Sequence, residues 1–343
     1  MKMKAAVLGA TGMVGQRFVK MLSENDWFDI ECIAASKRTA GTRYGDNDLG
    51  FEYPDDILDM TIAETSKNIL KEYDIDIAFS ALPADVAGPV EAELAEKIAV
   101  STNSAAHRMD ADVPLLIPEV NPEHLGLIDL QRTKGWEGCL VTNPNCSTIM
   151  LVMTLKPLMD AFGIKDVKVA TMQAVSGAGF TGVSSMAILD NVIPYIGKEE
   201  QKMEREPKKL LGSFSNDAVS FATFGMTALC TRVPVIDGHT ESVFIELERD
   251  ATEEEFTEAL RSFRGIPQER NLPSAPKRPI ELRDIPQPRM HRDLGNGMSV
   301  TAGRIVKVAP RTFKYVTMGH NTIRGAVGAS ILNAELLKEL EYL

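Results

Sequence analysis

The stretch Ala5-Ala6-Val7-Leu8-Gly9-Ala10-Thr11-Gly12-Met13-Val14-Gly15-Gln16 decides the fold. Its first four residues read as a short apolar strand, and residues 16–22 read as a helix. Between them stand three glycines, Gly9, Gly12 and Gly15. Strand, glycine turn and helix is the setting in which glycine spacing carries meaning. The glycines permit a tight turn and let backbone N–H groups approach a pyrophosphate at the helix N-terminus. The spacing G-x-x-G-x-x-G is one residue longer than the usual dinucleotide form. A tight turn with no ligand is the plain alternative. The position at the first strand favours a dinucleotide, held by Gly9, Thr11, Gly12, Met13 and Val14.

Residues 30–35 read as the second strand. In an NAD site an acid near its end accepts the ribose 2′-OH. Here Ser36-Lys37-Arg38-Thr39 follows instead. Two cations and two hydroxyls suit a 2′-phosphate, so NADP is the expected cofactor. Further strands are expected at 75–80, 100–103, 115–117 and 139–142, with a helix at 91–96. This alternation is the grammar of a Rossmann-type, doubly wound parallel sheet. Ligands sit at the C-terminal strand ends of such sheets. Those ends carry Ser80, Asn103 and the turn Asn143-Pro144-Asn145-Cys146.

The pattern then changes. Strands at 167–175, 242–248, 298–310 and 313–317 suggest a mixed or antiparallel sheet with helices on one face. Residues 250–263 read as an amphipathic helix capped by Thr252. The proline-rich 267–288 reads as an ordered arm, and 325–340 as a closing helix. A chain of 343 residues fits two domains.

A net charge of -11 with no basic stripe disfavours a nucleic-acid partner. No apolar run approaches the ~20 residues of a membrane span. The start, Met-Lys-Met-Lys, lacks a cleavable signal pattern. Cys32, Cys139, Cys146 and Cys230 show neither metal-binding spacing nor a disulfide framework, so no metal is expected. A reducing cytoplasm is the simplest compartment.

The chemistry centres on Asn143-Pro-Asn-Cys-Ser-Thr148. Cys146 opens an apolar helical stretch, 149–162. Unpaired N–H groups at a helix start stabilise a thiolate. Such placement lowers a thiol from about 8.5 into a range of ~3.5–7.5. The alternative is a small buried hydrophobe. His239, in Arg232-Val-Pro-Val-Ile-Asp-Gly-His239, is the candidate proton shuttle.

These motifs resemble the aspartate-semialdehyde dehydrogenase family. The resemblance rests on GATGMVGQ, NPNCST, RVPVIDGH and the terminal HNTIRGA, and spans nearly the whole chain. The segment 194–202 lacks the longer insertion of many bacterial members and is similar to the compact archaeal and fungal branch. The resemblance implies an α+β second domain of the glyceraldehyde-3-phosphate dehydrogenase-like kind. The expected division is an NADP-binding domain, 1–145, completed by a C-terminal helix, 322–343. Residues 146–321 form the catalytic and dimerisation domain.

The resemblance also implies roles. Cys146 matches the nucleophile, His239 the general acid/base, and Gln173 the residue that orients the acyl intermediate. Arg232 matches the grip on the substrate carboxylate, and Glu199 the acceptor of its amino group, with Glu200 adjacent as the alternative. Arg108 and Lys202 match the pair that binds inorganic phosphate. Asn145 joins the substrate-binding set. Asn321 and the loop from Ser176 and Gly177 to Gly179 match contacts at the nicotinamide end, and Ser80 joins the cofactor set. Taken without the resemblance, Lys198-Glu-Glu-Gln-Lys202 has the composition of a solvated helix face.

The implied reaction is NADP-dependent reductive dephosphorylation of L-4-aspartyl phosphate to L-aspartate 4-semialdehyde through a Cys146 thioester. It serves lysine, threonine and methionine biosynthesis, in a homodimer or homotetramer. Two alternatives stay open at this point. A malonyl-CoA reductase would keep Cys146 and His239 but need no phosphate clamp. A non-enzymatic NADP-binding sensor would leave Cys146, Gln173 and His239 without purpose.

Overall fold

The computed structural model describes residues 2–343. Its first sheet is built from β1 (Met3–Leu8), β2 (Phe28–Ala35), β3 (Ala63–Glu64), β4 (Ile77–Ser80), β5 (Ala99–Thr102) and β6 (Cys139–Thr142). The order is β3-β2-β1-β4-β5-β6, and every pairing is parallel. The order reverses between β1 and β4, which opens a crevice at their C-terminal ends. Residues Ala5 to Leu8 are fully buried, as expected of a strand covered on both faces.

The second sheet contains β7 (Ile164–Gln173), β10 (Gly225–Arg232), β11 (His239–Leu247), β12 (Ile280–Leu282), β13 (Val300–Ala309) and β14 (Thr312–Gly319). The order is β10-β7-β11-β14-β13-β12, with β10/β7 and β13/β12 parallel and the rest antiparallel. A separate hairpin joins β8 (Ser213–Ser215) to β9 (Ala218–Ser220).

Alternation decides which face of this sheet is covered. Thr171 and Gln173 on β7, Cys230 and Arg232 on β10, and His239 and Glu241 on β11 all point inward and are buried. The inner face packs on the helices Cys146–Phe162 and Glu253–Ser262. There Phe256 and Phe313 stack with centroids 4.5 Å apart. Fully burying an aromatic of this size contributes about 1.5–3 kcal/mol. The outer face leaves Met172, Leu229 and Phe244 exposed. The closing helix Gly328–Glu339 packs instead against the first sheet, where Ser101 Oγ donates to the Ser330 carbonyl at 3.0 Å.

Several boundaries differ from the sequence reading. Residues 115–117 do not form a strand: between Pro114 and Pro118 only Leu115 bridges, to Thr142. The helix expected at 91–96 begins at Ala84 and carries Pro89 inside it. A proline there lacks the N–H that marks a helix interior, which hid the first turns. The strand expected from 167 to 175 stops at Gln173, and a 3₁₀ turn, Val175–Ala178, follows. The expected Thr252 cap is present. Its hydroxyl accepts from Glu255 N–H at 3.1 Å, and Glu255 Oε2 accepts from Thr252 N–H at 2.8 Å. No helix among the described residues is long and apolar enough to cross a membrane.

Candidate active site

The helix Cys146–Phe162 starts where the sequence places it, with Asn145 as its cap. Asn145 Oδ1 accepts from the N–H groups of Ser147 and Thr148, at 3.0 and 3.1 Å. Its Nδ2 donates to Glu199 Oε1 at 2.7 Å, and its own N–H donates to Glu206 Oε2 at 2.7 Å. The turn is also tied to the end of β5, because Asn143 Nδ2 donates to Asn103 Oδ1 at 2.9 Å.

His239 is the first residue of β11, and its Nε2 lies 3.2 Å from Cys146 Sγ. Its Nδ1 accepts from Ala174 N–H at 3.0 Å. That bond fixes the tautomer: the neutral ring carries its proton on Nε2, aimed at sulphur. Burial, then the charge of Arg232, pushes His239 down to about 3. Cys146 does not show the lowering expected of a helix start. Burial, then the charge of Glu199, pushes its thiol up to about 12, against the opposing pull of Arg108 and the Ser147 N–H. Burial outweighs what the helix start and Arg108 offer a thiolate. The site therefore favours a neutral thiol beside a neutral imidazole.

Arg232 ends β10 directly opposite Gln173, the last residue of β7. Its Nη1 donates to the Ala174 carbonyl at 2.7 Å. A Cβ on Gly177 would stand 3.0 Å from Arg232 Nη1 and 3.4 Å from His239 Nε2, so only glycine leaves this wall open. Arg108 is buried on the loop after β5 and donates to Glu206 Oε1 at 3.0 Å and to the Asn103 carbonyl at 2.8 Å. Lys202 Nζ lies 3.1 Å from Glu199 Oε2. A cavity of about 310 Å³ lies against the nucleophile, with Cys146, Arg108, Lys202, Gly177, Val14 and Asn321 on its walls. It can seat a small anionic acyl group against the thiol, beside Arg108 and Lys202.

Residues 4–128 match the family model described as semialdehyde dehydrogenase, NAD binding domain, and residues 155–324 match semialdehyde dehydrogenase, dimerisation domain. An aspartate-semialdehyde dehydrogenase of Methanothermobacter thermautotrophicus is 54% identical over 97% of this chain and 98% of its own length.

The chain belongs to the aspartate-semialdehyde dehydrogenase family.

A crystal structure of the Candida albicans aspartate semialdehyde dehydrogenase with NADP is 39% identical, with a TM-score of 0.91 over 99% of this chain and 100% of that one. Aspartate semialdehyde dehydrogenase II of Vibrio cholerae, complexed with ASA, is 26% identical, with a TM-score of 0.76 over 99% of each chain. The stronger likeness to the first two proteins agrees with the compact archaeal and fungal branch of the family.

The residues of the glycine loop fit a dinucleotide. Gly9 has φ +77°, and a Cβ there would meet the Ala81 carbonyl oxygen at 3.0 Å. Gly12 caps the helix Met13–Ser23 without a side chain, so the helix start is open to a phosphate. Ser36, Lys37 and Arg38 are exposed just beyond β2, with Thr39 closing their turn onto the Ser36 carbonyl. Ser80, expected in the cofactor set, ends β4. Its hydroxyl is buried and donates to Glu91 Oε1 at 2.6 Å, so its side chain faces away from the crevice. Asn321 is also engaged, with Oδ1 accepting from Gly238 N–H and Nδ2 donating to Ser176 Oγ, each at 2.8 Å. Glu199 and Glu200 separate cleanly: Glu199 faces Asn145, whereas Glu200 Oε1 accepts from Cys230 N–H at 3.2 Å.

Some site residues were invisible in the sequence. Glu241, two residues after His239 on the same face, is fully buried with no hydrogen bond to either oxygen, and burial, then the charge of Glu199, pushes its carboxyl well above the usual carboxylate range. A Cβ on Gly325 would fall 2.6 Å from Cys146 Cβ, so the π turn Ile323–Val327 closes directly on the nucleophile. That turn is anchored by Arg324, fully buried and bidentate to Glu119 at 2.9 and 2.7 Å. The quoted motif HNTIRGA contains both residues, and their spacing alone carried no such signal. Among the described residues no group of three or more His, Cys, Asp or Glu side chains is placed to hold a metal ion.

Proposed function

We propose that this chain interconverts L-4-aspartyl phosphate and L-aspartate 4-semialdehyde with NADP, as a step of lysine, threonine and methionine biosynthesis. The observation that carries the reading is the 3.2 Å contact of Cys146 Sγ with His239 Nε2, beside a cavity that Cys146 lines together with Val14 of the glycine-loop helix and the cations Arg108 and Lys202. When bound, NADP supplies the hydride acceptor, or as NADPH the donor, between the aldehyde and acyl oxidation levels.

The chain's own residues do the rest. Cys146 Sγ forms a bond to the aldehyde carbon, and the thiol proton passes to the carbonyl oxygen. The Nε2–H of His239 lies where it hydrogen-bonds both the sulphur and that oxygen. The thiohemiacetal then gives up a hydride and its hydroxyl proton, the proton passing to water, and a thioester remains on Cys146, oriented by Gln173. An oxygen of hydrogen phosphate then attacks the thioester carbon, the C–S bond breaks, and the phosphate proton returns to the Cys146 sulphur. Arg232 presents a planar fork suited to the α-carboxylate. Glu199, already accepting from Asn145, takes the α-ammonium. Arg108 and Lys202 hold phosphate on the first-sheet side of the sulphur. The exposed apolar outer face of the second sheet, with Met172, Leu229 and Phe244, supports a homodimer through that face. Four cysteines without a disulfide support a cytoplasmic setting.

The test is a paired assay. Phosphate-dependent NADP reduction with aspartate semialdehyde is expected, without malonyl-CoA-dependent NADPH oxidation. The reverse result would hand the chain to the malonyl-CoA reductase reading.

A further inference from the structure

The helix Glu199–Leu210 turns one face to the Cys146 turn. Glu199, Met203 and Glu206 recur along it at helical spacing and are all buried. Glu199 Oε1 accepts from Asn145 Nδ2, and Thr148 Oγ1 lies 3.6 Å from Met203 Sδ. Glu206 makes the most consequential pair of contacts. Its Oε2 accepts from the main-chain N–H of Asn145 at 2.7 Å, and its Oε1 accepts from Arg108 Nη1 at 3.0 Å. One carboxylate, 3% exposed, thus links the residue before the nucleophile to a guanidinium from the loop after β5.

We infer that Glu206 is a positioning residue for the reaction. It holds the Arg108 guanidinium and the Asn145–Cys146 peptide in fixed relation, so that the phosphate oxygen and the thioester carbon meet at attack distance. This rests on the assignment of phosphate to Arg108 above.

Two features separate this role from packing. An apolar side chain would fill the same volume without desolvating a charge. Both partners of Glu206 are donors, and only a carboxylate accepts from both at once. A glutamine in its place offers one acceptor and sets an NH₂ against the other donor. The surrounding loop has its own supports. Lys209 Nζ donates to the carbonyls of Arg108, Asp110 and Val113 at 2.9, 2.8 and 2.9 Å. Arg108 Nη2 keeps its bond to Asn103. To these supports Glu206 adds the charged contact on the other arm of the guanidinium, Nη1, and the contact to the Asn145 main-chain N–H.

The test is Glu206→Gln in the full chain. A misplacement of ~1 Å costs about a hundredfold in rate, so the phosphate KM is expected to rise by about tenfold or more, with the NADP KM unchanged. Alkylation of Cys146 by iodoacetamide is expected to slow by about fivefold. In a double-mutant cycle, Arg108→Leu with Glu206→Gln should match Arg108→Leu alone in phosphate KM, because the group Glu206 aims is gone. A phosphate KM within about twofold of wild type in Glu206→Gln, or a double variant showing the product of both single effects, overturns the inference. A raised phosphate KM with unchanged alkylation removes the part that concerns the turn. If Arg108→Leu itself leaves the phosphate KM unchanged, the phosphate assignment fails. Alkylation then decides for Glu206 alone, and a wild-type rate overturns it. Should Glu206→Gln not fold, Glu206→Asp keeps both acceptors one methylene short and is read the same way.

Discussion

Ala174 N–H donates to His239 Nδ1 at 3.0 Å, and this bond sets the proton inventory of the site. The neutral ring must carry its proton on Nε2, and an imidazolium would set Nδ1–H against Ala174 N–H. A conventional thiolate–imidazolium pair is therefore disfavoured before ligands enter. His239 acts first as a donor to sulphur and oxygen.

A pH dependence of stability follows. His239 is pushed down to about 3 in the folded chain by burial and Arg232, whereas an unfolded histidine titrates near 6.5. Between those values the unfolded state binds the extra proton, so stability is complete above about 6.5 and falls as pH drops toward 3. From pH 6.5 to 4 the linkage amounts to about 3 kcal/mol. Denaturant unfolding of His239→Gln at pH 7 and pH 4 should show a correspondingly smaller acid loss. An acid loss equal to that of the wild type would remove His239 from the account of acid lability.

Arg232 and Arg108 approach the sulphur from different sheets, so their substitutions should separate kinetically. Arg232→Leu should lower kcat/KM for the aldehyde by misplacing its carbonyl. Arg108→Leu should raise the phosphate KM and spare the single-turnover burst of acyl-enzyme formation. Losing a charged hydrogen bond costs about 1.5–3 kcal/mol, or roughly ten- to a hundredfold. Parallel steady-state and burst measurements check both.

Arg38 is exposed just beyond β2, where Ser36 and Lys37 follow the strand end in place of an acid. Arg38→Asp should raise the NADP KM and leave the NAD KM nearly unchanged. An unaltered NADP/NAD ratio would place the selectivity elsewhere in the loop.

Gly325→Ala should be damaging despite adding one methyl. The new Cβ would fall 2.6 Å from Cys146 Cβ, and the turn is pinned by the Arg324–Glu119 pair. Overpacking of this kind costs about 1–3 kcal/mol. Thermal unfolding should report the strain, and alkylation kinetics should report displaced sulphur.

What the sequence disclosed follows from which physics is local. The β1 strand and its glycines lie within a dozen residues, so the doubly wound sheet was legible. The helix start at Cys146 and the Thr252 cap are also local, and both were found. The state of Cys146 was not, because burial and Glu199, 53 positions further on, outweigh the helix start. Ser80 ends its strand as expected, yet Glu91 on the following helix turns its hydroxyl away. Glu206 sits in a run of charges indistinguishable from a solvated face until the fold brings Arg108 to it.

The claim at the centre of the account is a covalent acyl group on Cys146. Intact-mass and peptide analysis of acid-quenched enzyme, mixed with L-aspartate 4-semialdehyde and NADP without phosphate, measures it directly. The account predicts one aspartyl adduct, located on Cys146, that disappears when phosphate is added before the quench. NADPH formation with no adduct, or an adduct on another residue, would contradict it.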